Sequence, residues 1–262
     1  MKLTNVSRTA IFTLVTRVVT MEKKKLGLKD PKALLCFDRL MMLATEEEKH
    51  QITKMKKLIS GIFYHDARPN VERLMIIDTI VNNYISNNPG STVINLACGF
   101  DTRFWRIDNK KCRYIEIDLP EVVALKQEIL KEHINYELIG CSILDYSWVD
   151  KVTTSGNKNF LIIAEGLLMY LPEKEGISFI EMLSRSFNHS QFTFDMFPKY
   201  ITNRFWKMMI KWQAIVTFGY NVSLEFGFKE PKDIEKISSR FKVIETKKLG
   251  MRMIINSSIK DG

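Results

Sequence analysis

No uninterrupted run of about 18 apolar residues occurs in the sequence, so no helix is expected to cross a membrane. The four cysteines, Cys36, Cys98, Cys112 and Cys141, lie far apart and form no CxxC pair. That spacing argues against a disulfide framework and against a metal site, and it fits a reducing cytoplasm. Histidine is equally sparse. His50, His65, His133 and His189 fall on expected helices or loops, so no imidazole stands at the end of a strand to act as a general base. There is also no internal repeat, no low-complexity tract and no linker, and 262 residues then read as one domain around one large core.

What is present is ordinary for a globular protein: 45% apolar and 26% charged residues, with a formal net charge of +9. The lysines that carry this charge are dispersed (Lys23 to Lys25, Lys54 to Lys57, Lys110-Lys111, Lys247-Lys248) and no RNA-binding motif accompanies them. Nucleic acid is therefore not expected as a partner. Residues 1 to 21 carry Lys2, Arg8 and Arg17 without an acid, a composition similar to a targeting peptide. However, Arg17 interrupts the apolar run Ile11 to Val19, and an amphipathic helix belonging to the fold is the expectation.

Taken in order, residues 4 to 22 read as a helix with Ile11, Leu14, Val15 and Val18 on one face. Helices follow over Lys32 to Ala44, Glu46 to Ser60 and Val71 to Ser86. The break Asn87-Asn88-Pro89-Gly90 closes this N-terminal helical extension, residues 1–90. Strands and helices then alternate through a core spanning 91–197. The strands are Thr92 to Ala97, Arg113 to Ile117, Tyr136 to Cys141, Phe160 to Glu165 and Gln191 to Phe197. Such alternation implies an α/β fold, a mostly parallel sheet with helices on both faces. Pro198 to Tyr220, aromatic, methionine-rich and basic, breaks the rhythm. It reads either as a core helix or as part of a lid or pocket wall (198–228) over a hydrophobic substrate. A helix through Ser239 and two strands, Phe241 to Thr246 and Met251 to Asn256, complete seven strands with an antiparallel hairpin edge.

Ligands of open α/β sheets bind at the carboxyl ends of the strands. Ala97-Cys98-Gly99 follows the first strand, and Asp118 ends the second, about 20 residues on, where an acid meets ribose hydroxyls. Ser142, Ile143 and Asp145 follow the third, with Trp148 close behind, and Glu165-Gly166 ends the fourth. The full GxGxxG turn is absent, and Asp101 at the next helix start would repel phosphates. A phosphate-free cofactor such as S-adenosylmethionine fits these ends better than a dinucleotide.

NLACGFDTRFWRID resembles the NLGAGLDTRxxR signature of the leucine carboxyl methyltransferase-like family, which includes polyketide and other small-molecule O-methyltransferases. YIEIDLPEVVALKQEIL and IIAEGLLMYLP are similar to its second- and fourth-strand motifs. VERLMIIDTI resembles its R-x-x-x-x-D helix, Asp30-Pro31-Lys32-Ala33 its DPxA element, and CSILDYSWVD its adenine-side loop. These matches run in family order over nearly the whole chain. The resemblance implies a class I methyltransferase, Rossmann-like fold with S-adenosylmethionine as cofactor, S-adenosylhomocysteine as product and no metal. It implies Arg73 on the methionyl carboxylate, Ala97 and Gly99 against the methionyl portion, and Asp118 on the ribose. Ser142, Ile143 and Asp145 would surround the adenine, Glu165 would lie near the amino group, and Tyr170 near the transferred methyl or the acceptor. Two positions depart from the family: Ala97 stands where glycine is usual, and Ser142 where an acid is common. The expected activity is O-methylation of a carboxylate or hydroxyl of a small, partly apolar molecule. A cofactor-binding protein without transferase activity and a nucleic-acid methyltransferase are the alternatives.

Overall fold

The computed structural model describes residues 5–107, 110–154, 159–218 and 222–261. Lys2 and Thr4, at the expected start of the first helix, and Tyr220, at the end of the aromatic segment, lie outside them. The N-terminal extension comprises α1 (Asn5–Glu22), α2 (Pro31–Leu43), α3 (Glu46–Ser60) and α4 (Tyr64–Asn87). Asp30 caps α2 by accepting the Ala33 N–H, and a reciprocal Thr45–Glu48 capping box starts α3. α4 begins seven residues before the expected Val71 and runs through Pro69. A proline this close to a helix start removes one backbone hydrogen bond without ending the helix, which its position in the sequence does not reveal.

The remaining elements are β1 (Thr92–Leu96), α5 (Arg103–Ile107), β2 (Arg113–Asp118), α6 (Pro120–Leu130), β3 (Glu137–Gly140), α7 (Ser147–Thr153), β4 (Phe160–Ala164), α8 (Glu173–Ser186), β5 (Ser190–Met196), α9 (Arg204–Phe218), α10 (Asp233–Ile237), β6 (Phe241–Leu249) and β7 (Arg252–Ile259). They form one seven-stranded sheet in the order β3-β2-β1-β4-β5-β7-β6. The first five strands are mutually parallel, and β7 is antiparallel to both β5 and β6, as the expected hairpin edge requires. The short helix α7, over the loop after β3, was not legible as an element. Its Trp148 is fully buried and stacks on Phe187.

Every residue of β1 and β4 is buried, because helices cover both faces of the parallel sheet. One layer packs Ile94, Leu96 and Ile162 against Trp148, Phe179 and Leu183. The other packs Val93, Leu161 and Ile163 against Ile77 and Val81 of α4 and Phe104 of α5. A third apolar cluster joins α1, α2, α3 and α6 around Phe100, so the extension is built into the domain. The turn at β1/β4, where the strand order reverses, places the first and fourth strand ends side by side. α9 is apolar on two faces: Phe205, Met208 and Trp212 are exposed, while Trp206 and Ile210 pack toward the core. Among the described residues no helix is long and apolar enough to cross a membrane, and no group of three or more His, Cys, Asp or Glu could hold a metal ion.

Candidate active site

At the end of β1 the chain turns through two residues of positive φ, Ala97 at +49° and Gly99 at +51°. The Ala97 N–H is held by the Ile117 carbonyl at 2.7 Å, which carries the β1–β2 pairing into the turn. Gly99 is required twice over. Its backbone is left-handed, and a Cβ there would lie 2.9 Å from the Ala10 Cβ of α1. The Gly99 N–H donates to Asp118 Oδ2 at 2.6 Å, and the Leu119 N–H to Oδ1 at 2.7 Å. Each carboxylate oxygen thus has one fixed donor and retains accepting capacity toward the cavity. Burial raises the Asp118 pKa above its ordinary value, and the two amides act against that rise.

Asp101 does more than start a helix. Its Oδ1 accepts the N–H groups of Thr102 and Arg103, and its carboxylate pairs with the Arg103 and Arg106 guanidiniums at 2.8 and 3.1 Å. Burial opposes the charge, but Arg103, Arg106 and Arg17 outweigh it and hold the acid well below the usual range. The first amides of α5 are therefore already taken, which disfavours a phosphate more directly than charge repulsion does. Arg103 also reaches Asp78 of α4 (2.7 Å) and Glu165 (2.5 Å), and Arg106 reaches Asp78 and Asp30. Arg17 donates to Asp30, Thr102 and the Phe100 carbonyl, so the residue that interrupts the apolar run of α1 anchors that helix to the β1 turn. Beneath the turn, fully buried Lys126 bonds Glu116 and the Asp101 carbonyl, each at 2.6 Å.

Glu165, at the end of β4, is shared between Arg103 and Arg73, the latter at 2.9 Å. Arg73 also donates to Asp195 of β5 at 3.0 Å. Desolvation disfavours its charge, and Asp195 and Glu165 more than offset this and raise its pKa. Gly166 has φ +65°, and a Cβ there would sit 3.4 Å from the Arg73 guanidinium. Asp195 Oδ1 accepts the Gly166 N–H at 2.5 Å, so β5 fixes the loop that carries Glu165.

Eight of the nine expected residues line one cavity of about 1050 Å³: Arg73, Ala97, Gly99, Asp118, Ser142, Ile143, Glu165 and Tyr170. Asp145 does not. It is exposed, and its carboxylate accepts the Ser147 N–H at the start of α7; Leu144 lines the cavity in its stead. The Ser142 hydroxyl oxygen accepts the Leu144 N–H at 3.2 Å, and Trp148 Nε1 donates to the Ile143 carbonyl at 3.0 Å, which fixes this loop. Tyr170 is 37% exposed within the cavity. Desolvation raises its phenol, while Arg252 and Arg73 lower it. The cavity also gathers residues that the sequence did not flag, among them Arg252 of β7 and Thr13 of α1, and Ile210 of α9 joins them from the segment read as a core helix or pocket wall. His65, expected at the surface, is exposed and also lines the cavity from the start of α4. Asp195 carried a visible signal, a charge inside the apolar strand QFTFDMF, although its partner Arg73 could not be read from it.

A sequence model of leucine carboxyl methyltransferase matches residues 13–184, from within α1 to within α8. The chain belongs to the leucine carboxyl methyltransferase family. Within that family it is 32% identical over 174 residues to the tetracenomycin polyketide synthesis O-methyltransferase TcmP of Streptomyces glaucescens, a match covering 65% of this chain and 60% of that protein. It is 24% identical over 152 residues to a probable leucine carboxyl methyltransferase 1 of Caenorhabditis briggsae, 46% of each chain. The chain spans about half the length of the curated relatives it matches. In fold it is similar to an O-methyltransferase family protein from Burkholderia thailandensis (TM-score 0.51, 13% identity, 88% of this chain and 71% of that one). It is likewise similar to magnesium protoporphyrin IX methyltransferase from Synechocystis (TM-score 0.52, 15% identity, 79% of this chain and 94% of that one). The class I methyltransferase architecture expected from the family motifs is the one observed.

Proposed function

We propose that this family member is an S-adenosylmethionine-dependent O-methyltransferase acting on a carboxylate or hydroxyl of a small, partly apolar acceptor. The observation that carries the reading is the placement of Asp118, held by the Gly99 and Leu119 amides, in the same cavity as the Arg73–Glu165 pair and Tyr170. The residues present suit that cofactor. Asp118 offers free lone pairs for two hydroxyls, and Leu119, Ile143 and Leu144 form apolar walls for a base, with the Ser142 hydroxyl beside them. Arg73 keeps an Nη2 without a hydrogen bond among the described residues, a donor for a carboxylate. When bound, the cofactor supplies a methyl group made electrophilic by a sulfonium. The chain's own work is to orient the acceptor oxygen and exclude water. A cavity of about 1050 Å³ lies just above the roughly 300–1000 Å³ of pockets for drug-sized ligands, which leaves room for an acceptor beside the cofactor. Tyr170 and the inner face of α9 would border that acceptor. A carboxylate acceptor needs no general base, whereas a hydroxyl one would turn to the cavity residue His65.

Calorimetric titration with S-adenosylhomocysteine tests the proposal. Saturable binding is expected, weakened at least about tenfold in Asp118→Ala, because a hydrogen bond to a charged acceptor is lost. Absence of binding at millimolar ligand, or an unchanged affinity in the variant, would remove the reading.

A further inference from the structure

Arg252 is the first residue of β7, beside the carboxyl end of β5, and it lines the cavity. Its guanidinium lies 4.7 Å from the centroid of the Phe197 ring. Its nearest carboxylate oxygen is Asp195 Oδ2, 3.6 Å from Nη1 and beyond hydrogen-bonding reach. That oxygen already accepts from Arg73 at 3.0 Å, and the other Asp195 oxygen accepts the Gly166 N–H. Nη1 is buried without a hydrogen-bond partner. The contrast with the neighbouring arginines is sharp. Arg17, Arg73, Arg103 and Arg106 each donate two or more side-chain hydrogen bonds. Arg252 makes none among the described residues, although a guanidinium carries five donors.

A guanidinium whose Nη1 is buried without a hydrogen bond, on a side chain 18% exposed, is a donor set open to an anion. Desolvation and the nearby Arg73 charge lower the Arg252 pKa and outweigh Asp195, Tyr170 and Glu165, which raise it. Position sets Arg252 apart from the nucleoside end of the expected cofactor site. Asp118, Ser142 and Ile143 stand at the β2 and β3 ends of the cavity, and Arg252 stands across the sheet at the β5–β7 end, beside Tyr170 and Phe197. The walls continuing from it, Ile201, Ile210 and Leu224, are apolar. We propose that Arg252 is a specificity-determining residue that binds a carboxylate of the acceptor, so that the preferred acceptors are acids with an apolar body. The assignment to the acceptor rests on the methyltransferase reading above. The alternative source of a carboxylate is the amino-acid end of the cofactor.

Two titrations of the full chain separate these. The first compares 2-naphthoate with the isosteric, neutral 2-naphthamide, with and without saturating S-adenosylhomocysteine. The second titrates S-adenosylhomocysteine alone. The wild type is expected to bind the naphthoate at least about tenfold more tightly than the amide. Arg252→Met abolishes that preference by weakening the naphthoate alone and leaves S-adenosylhomocysteine affinity within about twofold. Arg252→Lys, which keeps the charge but loses the planar fork, gives an intermediate loss and serves where the methionine variant does not fold. Equal binding of the two probes, no binding of the naphthoate, or an unchanged preference in the variants overturns the proposal. So does a variant that weakens S-adenosylhomocysteine instead, which would give Arg252 to the cofactor. The naphthoate arm without cofactor stays informative if S-adenosylhomocysteine fails to bind, so failure of the anion site and failure of the methyltransferase reading produce different results.

Discussion

Replacing Ala97 by glycine should stabilise the protein. Ala97 is the residue that departs from the family pattern, and its φ of +49° places an alanine in the left-handed region. The Cβ then crowds its own backbone, at about 1–2 kcal/mol per residue. Glycine relieves that strain but loses more backbone freedom on folding, about 0.5–1 kcal/mol relative to alanine. Ala97 is partly buried, and its single methyl packs against the sheet core, a small contact that the variant gives up. The net expectation is about 0.5–1 kcal/mol in favour of the variant. At roughly 2–4 °C per kcal/mol for a chain of this size, thermal unfolding followed by circular dichroism should show Tm raised by about 1–4 °C. The same turn supplies a control in Gly99, with nearly the same φ and with Ala10 closing on its missing Cβ. Gly99→Ala must lower Tm, by more than Ala97→Gly raises it. A Tm in Ala97→Gly that is unchanged or lower would refute the assignment of strain to this residue.

Two further outcomes follow from the same region. Lys126→Met leaves the buried Glu116 carboxylate and the Asp101 carbonyl without their donor, and should cost about 3–5 kcal/mol in urea unfolding; a loss under about 1 kcal/mol would show that Lys126 is not what neutralises Glu116. Asp118 has a folded pKa raised above the ordinary 3.8, chiefly by burial. Its contribution to stability is therefore present below 3.8 and lost as pH rises through the raised value, while S-adenosylhomocysteine binding, which uses the ionised form, should weaken as pH falls through that value. Asp118→Asn should flatten both profiles, and a binding curve that bends only below 3.8 in the wild type would contradict the burial effect.

The regular part of the architecture was open to reading because the local signals agree with the tertiary ones. The run FLIIA is apolar at every position and TVINL is broken only by Thr92 and Asn95, as suits strands covered on both faces, and Asp118 stands at the spacing that the β1–β2 unit sets. Asp145 was misplaced by one residue of local geometry. Its side chain turns to the start of α7, a helix too short to leave a periodic pattern. The partners of Arg252 and Asp195 were out of reach for a different reason. Arg252 nears Asp195 through the antiparallel pairing of β7 with β5, and Asp195 reaches Arg73 from α4 packed on the sheet; no spacing within either strand encodes those partners.

The DTRFWR stretch also changes what its own presence signifies. Asp101, Arg103 and Arg106 place their hydrogen bonds on Asp30, Asp78, Glu165 and one another, joining α2, α4 and β4 to the β1 turn. The motif is a keystone: it keeps several elements in place, and of its six residues Asp101 alone lines the cavity. A descendant that lost Tyr170 or Asp118 could keep every letter of it to stay folded. Its presence in a chain therefore reports ancestry and scaffold, and activity has to be judged from the residues that face the cavity.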